Sequence, residues 1–224
     1  MKEKLVNYVK NKNKLLSNQR HGQLNIFFKD RFQDQINDEL VFKKVNSLLP
    51  DEILELVDVI YVGNFEDLNK KQMNAKYSDG AIYVTNEQDD EEDLIDDIIH
   101  EFAHAVEDRY GDYLYGDGSI EESFLFKRNK LKNILKYLEY NVEDYNFDVV
   151  DFDDELDKLF FWHIGYEKLN NLSRGIFLGS YSATSLREFF ARGFEEYFLG
   201  DRLYLKEVCP YIFNKLSILL DTFE

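Results

Sequence analysis

Of the 224 residues, 44 are Asp or Glu and 27 are Lys or Arg, a formal charge of −17, which argues against nucleic acid or an anionic membrane as a partner, since both reward basic residues. A hydrophobic share of 44% and an aromatic share of 16% belong to a folded globular protein and not to a disordered one. The single cysteine, Cys209, excludes an intramolecular disulfide framework and thiolate-cluster zinc sites.

From the N-terminus, "MKEKLVNYVKNKNKLLSNQR" is charged throughout and lacks the apolar core of a signal peptide. No run approaches the roughly 20 apolar residues of a membrane span. The expected location is the cytoplasm, or a site reached without a signal peptide. Residues 1–49 read as an N-terminal helical segment packed on the main domain, with Leu5 and Val9, then Phe32, Ile36, Leu40 and Val41, at helical spacing. Residues 50–224 form the main domain in this reading. "PDEILELV" opens it with a proline and acidic residues, as a helix start does.

"VDVIYVG", residues 57–63, is rich in β-branched and aromatic residues and closes on glycine, so it reads as a strand. "GAIYVTN", residues 80–86, is a second strand, entered through the turn Ser78-Asp79-Gly80. The acidic block "EQDDEEDLIDD" that follows suits a solvated helix N-terminus, and the helix itself spans about 90–110. A less regular region, 111–180, leads into two helical patterns, "TSLREFFARGFEEYFLG" and "YLKEVCPYIFNKLSILLDTFE". Few strands followed by many helices predict an α+β fold.

Two of the four histidines fall in "DDIIHEFAHAVEDRYG", residues 96–111. On a helix, with His100 at zero, His104 falls at about 40° and Glu101 at about 100°. Leu94, Ile95, Ile98, Ile99, Phe102, Ala103, Ala105 and Val106 gather on the opposite arc, and Asp93, Asp96, Asp97, Glu107 and Asp108 share the polar side. Imidazoles one turn apart suit two ligands of a single ion. They leave positions for a third ligand and a water, and a glutamate directly after the first histidine can take that water's proton. The competing reading is a pair of surface histidines on a charged helix. Asp96, Asp97 and Asp108 are candidates for orienting the imidazoles.

A third ligand is sought in "TSLREFFARGFEEYF". There Glu188 lies on a polar side with Arg192 and Glu195, while Phe190, Phe194, Tyr197 and Phe198 lie opposite. Ser185-x-x-Glu188 also matches a capping box, and on spacing alone Glu195 and Glu196 are rivals for the ligand role.

Together, "HEFAHAVEDRYGDYL" and "SYSATSLREFFARGF" resemble the catalytic domain of anthrax lethal factor and its relatives, among them the clostridial Pro-Pro endopeptidases. That family carries H-E-[FL]-G-H-A and E-F-F-A-E-x-F, with a tyrosine seven residues before the ligand glutamate, the offset of Tyr181 from Glu188 here. The resemblance covers about residue 50 to the C-terminus and is weakest between 112 and 175. It implies a zincin-like fold with a small mixed or antiparallel sheet and a mostly helical C-terminal half. It further implies one zinc ion per chain on His100, His104 and Glu188, with Glu101 as base and Tyr181 as donor to the oxyanion. Arg192 replaces the family's second acidic residue, Ala103 replaces a glycine, and an acidic insertion is expected around 140–160.

The activity implied is that of a zinc metalloendopeptidase, toxin-like, phage-encoded or housekeeping. The alternative is a catalytically inactive zinc-binding module for a protein partner. A peptide or protein substrate is expected to add as a strand along residues 81–85, against an equal reading of that segment as ordinary core. His163, Trp162 and Tyr166 read as structural, His21 as remote from the metal, and the acidic run 143–157 as solvated surface.

Overall fold

The computed structural model describes residues 17–223, and Leu5 and Val9 of the expected N-terminal helical segment lie outside them. The chain is α+β and divides into two compact units, Met1–Arg109 and Tyr110–Glu224.

The first unit is built on a five-stranded mixed sheet. Its strands are β1 (Ser17–His21), β2 (Leu24–Phe28), β3 (Val59–Val62), β4 (Ala75–Ser78) and β5 (Ala81–Val84), in the order β1-β2-β3-β5-β4. The β1–β2 and β4–β5 pairs are antiparallel, and β3 runs parallel to both β2 and β5. The helical reading is corrected for residues 17–28, which form a hairpin. Period-two burial of Leu24, Ile26 and Phe28 decides it. Gly22, at φ +61°, begins its two-residue loop. A Cβ at Gly22 would meet Asn46 Oδ1 at 2.2 Å, the same oxygen that accepts from Gln23 N at 2.9 Å.

Helix α1 (Asp38–Leu48) begins only after Phe32 and Ile36, where Asn37 Oδ1 accepts from Leu40 N, and it buries Val41, Phe42 and Val45. Two short helices, α2 (Asp51–Leu54) and α3 (Glu66–Lys71), precede β3 and β4. The β4–β5 turn is the one the sequence indicates, with Asp79 at φ 49° and Gly80 at φ 79°, the conformation of a tight hairpin turn. Residues 81–85 do not offer the free edge expected of them. β5 is paired with β3 on one side and β4 on the other, and Thr85 N donates to Asn74 O. The edge beside β5 is β4.

Helix α4 (Glu91–Tyr115) starts where Asp90 Oδ1 accepts from Glu92 N and Asp93 N, with acidic residues in its first turn. Leu94, Ile98, Ile99, Phe102, Ala103, Ala105 and Val106 are all buried, as the amphipathic pattern requires. Tyr110 leaves helical geometry, at φ −119° and ψ 16°, where the second unit begins.

The second unit is helical. Its elements are α5 (Ser119–Tyr137), α6 (Asp154–Lys158) running into a π-helical turn (Leu159–Ile164), α7 (Tyr166–Leu172), a 3-10 turn (Tyr181–Ala183), α8 (Leu186–Phe198), α9 (Arg202–Val208) and α10 (Pro210–Asp221). Phe124 of α5 packs on Phe177 and on Phe189 of α8, with ring centroids 6.2 and 5.5 Å away. A Cβ on Gly193 of α8 would sit 2.7 Å from Ile212 Cγ2, so the glycine permits close approach of α10. Lys215 Nζ donates to Tyr113 O at 2.7 Å while the Tyr113 hydroxyl donates to Lys215 O at 3.1 Å. In the acidic stretch Glu143, Asp144, Asp148, Asp151, Asp154 and Glu155 are exposed, while Val142, Phe147 and Leu156 anchor it inward. Among the described residues no helix is long and apolar enough to cross a membrane.

Candidate metal centre

Helix α4 holds His100 and His104 one turn apart, with Glu101 directly after His100. The two imidazoles stand edge to face, 5.0 Å between centroids and 81° between planes. His104 Nδ1 lies 2.7 Å from Glu107 Oε2, both side chains being largely buried. An ionised carboxylate only accepts, so Nδ1 carries the proton, which leaves Nε2 as the ligand atom and fixes the ring. Glu107 lies on the polar arc of the helix, and its i+3 offset from His104 is the sequence signal of this bond.

The acidic stripe of the same helix meets the edge strand. Glu101 Oε2 accepts from the main-chain N–H of Tyr77 on β4. Asp97 bonds the Asn74 side chain, and burial, with the Glu101 charge adding to it, pushes its carboxyl up to about 7. Burial also raises the Tyr77 phenol, which bonds Asp108 and accepts from Gly80 N at 3.2 Å. Of the acids considered for orienting an imidazole, Asp97 thus bonds Asn74, just before β4, Asp108 bonds Tyr77 of β4, and Glu107 supplies the bond to His104.

In the second unit, Ser185 Oγ accepts from Glu188 N at 3.2 Å. This is the N-cap that the Ser-x-x-Glu pattern indicates, and it puts Glu188 in the first turn of α8. Tyr181, on the 3-10 turn just upstream, is half-exposed and lies edge to face with Tyr166 at 5.9 Å. The Tyr166 hydroxyl donates to Asp157, and burial, followed by Asp157 and the Tyr181 and Glu188 charges, raises its pKa far above the usual phenol range. Of the rivals to Glu188, Glu195 pairs with Arg192 and Glu196 Oε1 accepts from Asp201 N at 2.9 Å. Arg192 also donates to Leu178 O at 3.4 Å.

Among the described residues, one group of His, Cys, Asp and Glu side chains could hold a metal ion: His100, His104 and Glu188, each offering one ligand atom. Two imidazoles and one carboxylate are a donor set that zinc accepts with a position left open. The other titratable candidates fall elsewhere. His21 ends β1, 3.1 Å from Gln19 Oε1, and His163 is exposed on the π-helical turn. Cys209 is buried, which pushes its thiol up to about 12. No family model matches the sequence, and no curated protein or solved structure is detectably similar to it.

Proposed function

We propose that this chain is a zinc-dependent endopeptidase with a zincin-like fold, related to the lethal-factor peptidases. The observation that carries the proposal is the group His100, His104 and Glu188, with Glu101 next to the first ligand in sequence. His104 offers Nε2 because its Nδ1–H donates to Glu107, and Glu188 contributes a carboxylate oxygen from the capped start of α8. When bound, the ion supplies Lewis-acid chemistry, polarising the scissile carbonyl and making a water more acidic.

The chain's own groups move the protons. Glu101 accepts one from the attacking water as the C–O bond forms, then delivers it to the departing amine nitrogen as the C–N bond breaks. The Tyr181 phenol donates a hydrogen bond to the oxygen that becomes negative, an interaction stronger in the transition state than in the substrate. β4, which carries the Tyr77 N–H beside Glu101, replaces residues 81–85 as the strand along which an extended peptide would lie.

Elemental analysis of the purified chain should find one zinc per molecule. A chelator should abolish cleavage of a peptide library, and added zinc should restore it. Glu101→Ala should keep the metal and lower activity by about 10²–10⁴-fold. Equal behaviour of wild type and Glu101→Ala towards the library would leave a zinc-binding interaction module instead, and a chain without metal would end both readings.

A further inference from the structure

Arg128 lies at the centre of helix α5, on the stripe Ile120, Phe124, Arg128, Leu131 and Leu135 that faces the interior, and it is fully buried. Its guanidinium is directed at main-chain oxygens. Nε and Nη2 donate to Ala183 O at 3.0 and 2.9 Å, Nη2 also donates to Thr184 O at 2.5 Å, and Nη1 donates to Val149 O. The stem lies against Phe124, with the guanidinium carbon 4.6 Å from the ring centroid. A buried cation loses several kcal/mol of hydration, and an apolar side chain on this stripe would avoid that loss. Something at this position therefore needs the planar fork of donors that arginine alone provides.

What it holds is the turn that presents Tyr181. Ala183 closes the 3-10 turn begun by Tyr181, and Thr184 lies just before Ser185, the cap of α8. Thr184 binds back to Tyr181 O through its N–H at 2.9 Å and its hydroxyl at 2.7 Å. Ser182 Oγ donates to Gly179 O at 2.6 Å, and Leu186 N donates to Val150 O at 2.8 Å, beside the third oxygen that Arg128 binds. Every segment joined here belongs to the second unit. The turn's own bonds converge on Ser180 O and Tyr181 O; its Ala183 and Thr184 carbonyls are held by the guanidinium.

We propose that Arg128 is a positioning residue for Tyr181, its guanidinium fixing the Ala183 and Thr184 carbonyls and through them the aim of the phenol. This builds on the reading of Tyr181 as the oxyanion donor, and the experiment separates the two. Place 3-fluorotyrosine at position 181 of the full chain and record its fluorine spectrum without metal, in wild type, Arg128→Lys, Arg128→Met and Leu131→Ala. Leu131 is buried on the same helix and serves as the control for general loss of packing. One sharp resonance is expected in wild type and Leu131→Ala, and a broadened or doubled one in Arg128→Lys. Arg128→Lys keeps a buried cation and so guards against a methionine variant that does not fold.

On the zinc-loaded chain, Arg128→Lys should lower kcat about tenfold or more with KM little changed, and should cost nothing further in a Tyr181→Phe background. A sharp, unshifted resonance in Arg128→Lys overturns the proposal, as does a loss that multiplies with that of Tyr181→Phe. Full activity in Tyr181→Phe alone would instead remove the oxyanion role, and the fluorine spectra would still decide whether Arg128 fixes the ring.

Discussion

The two halves of the proposed site are held by opposite means. On α4, Glu101 and His104 are each held by one partner: Glu107, three residues on, accepts from His104, and the Tyr77 N–H at the strand edge donates to Glu101. Around Tyr181 and Glu188 the organising group is a buried cation, Arg128, whose partners are 21 to 56 residues away in sequence. A helix carries its own ladder of hydrogen bonds, so one neighbouring carboxylate is enough to lock an imidazole. The 3-10 turn at Tyr181 carries only short-range bonds, to Ser180 O and Tyr181 O, so its Ala183 and Thr184 carbonyls depend on a group from another element. The first half should therefore fail locally when a partner is removed, and the second should fail as a unit.

The largest test of this contrast is Arg128→Met. It leaves the Val149, Ala183 and Thr184 carbonyls without the guanidinium, and buried acceptors left unsatisfied cost about 1–3 kcal/mol each. Urea unfolding should show a loss of about 3 kcal/mol or more, and a loss below 1 kcal/mol would place the stability of the turn elsewhere. Glu107→Ala should act on the other half with a smaller and narrower effect. Zinc affinity should fall about 10–100-fold, because the His104 ring loses the acceptor that fixes its tautomer, while unfolding without metal shifts little. Competition with a chromogenic chelator measures it; unchanged affinity together with a large loss of stability would reverse the roles assigned to the two halves.

The same contrast explains what the sequence made legible. The buried stripe of α4, the two histidines on its polar side and the Asp79-Gly80 turn are patterns of local period, and each stands where expected. The β1–β2 hairpin was obscured because its short alternation, Leu24, Ile26 and Phe28, sits between charged residues and the helical spacing of Phe32, Ile36, Leu40 and Val41, of which only the last two fall in α1. The position of β5 inside the sheet follows from pairing with β3, some twenty residues upstream, and no local pattern records that. Arg128 lies in "FKRNKLKNILK", where it looks like one more solvated charge. Only the spacing from Phe124 to Leu131 places it on the apolar stripe, and an arginine on such a stripe signals a buried partner.

Asp97 gives the finest test, because it probes how α4 meets the chain at Asn74, at the start of β4. Its carboxyl, buried and bonded to Asn74, is raised from an ordinary 3.8 to about 7. Below about pH 4 the folded and unfolded chains both hold this proton, and the group contributes no pH dependence. Between about 4 and 7 the unfolded chain releases the proton while the folded chain keeps it, so stability falls as pH rises; above about 7 the loss is complete and constant. Partial hydration of the group reduces the effect to on the order of 1 kcal/mol over this window. Asp97→Asn removes the titration and can keep the bond to Asn74. In urea unfolding of the zinc-free chain, the variant should therefore gain on wild type as pH rises from 4.5 to 7.5. Curves that stay parallel across that range would mean that Asp97 is hydrated in solution and that β4 is not closed against this stripe of α4.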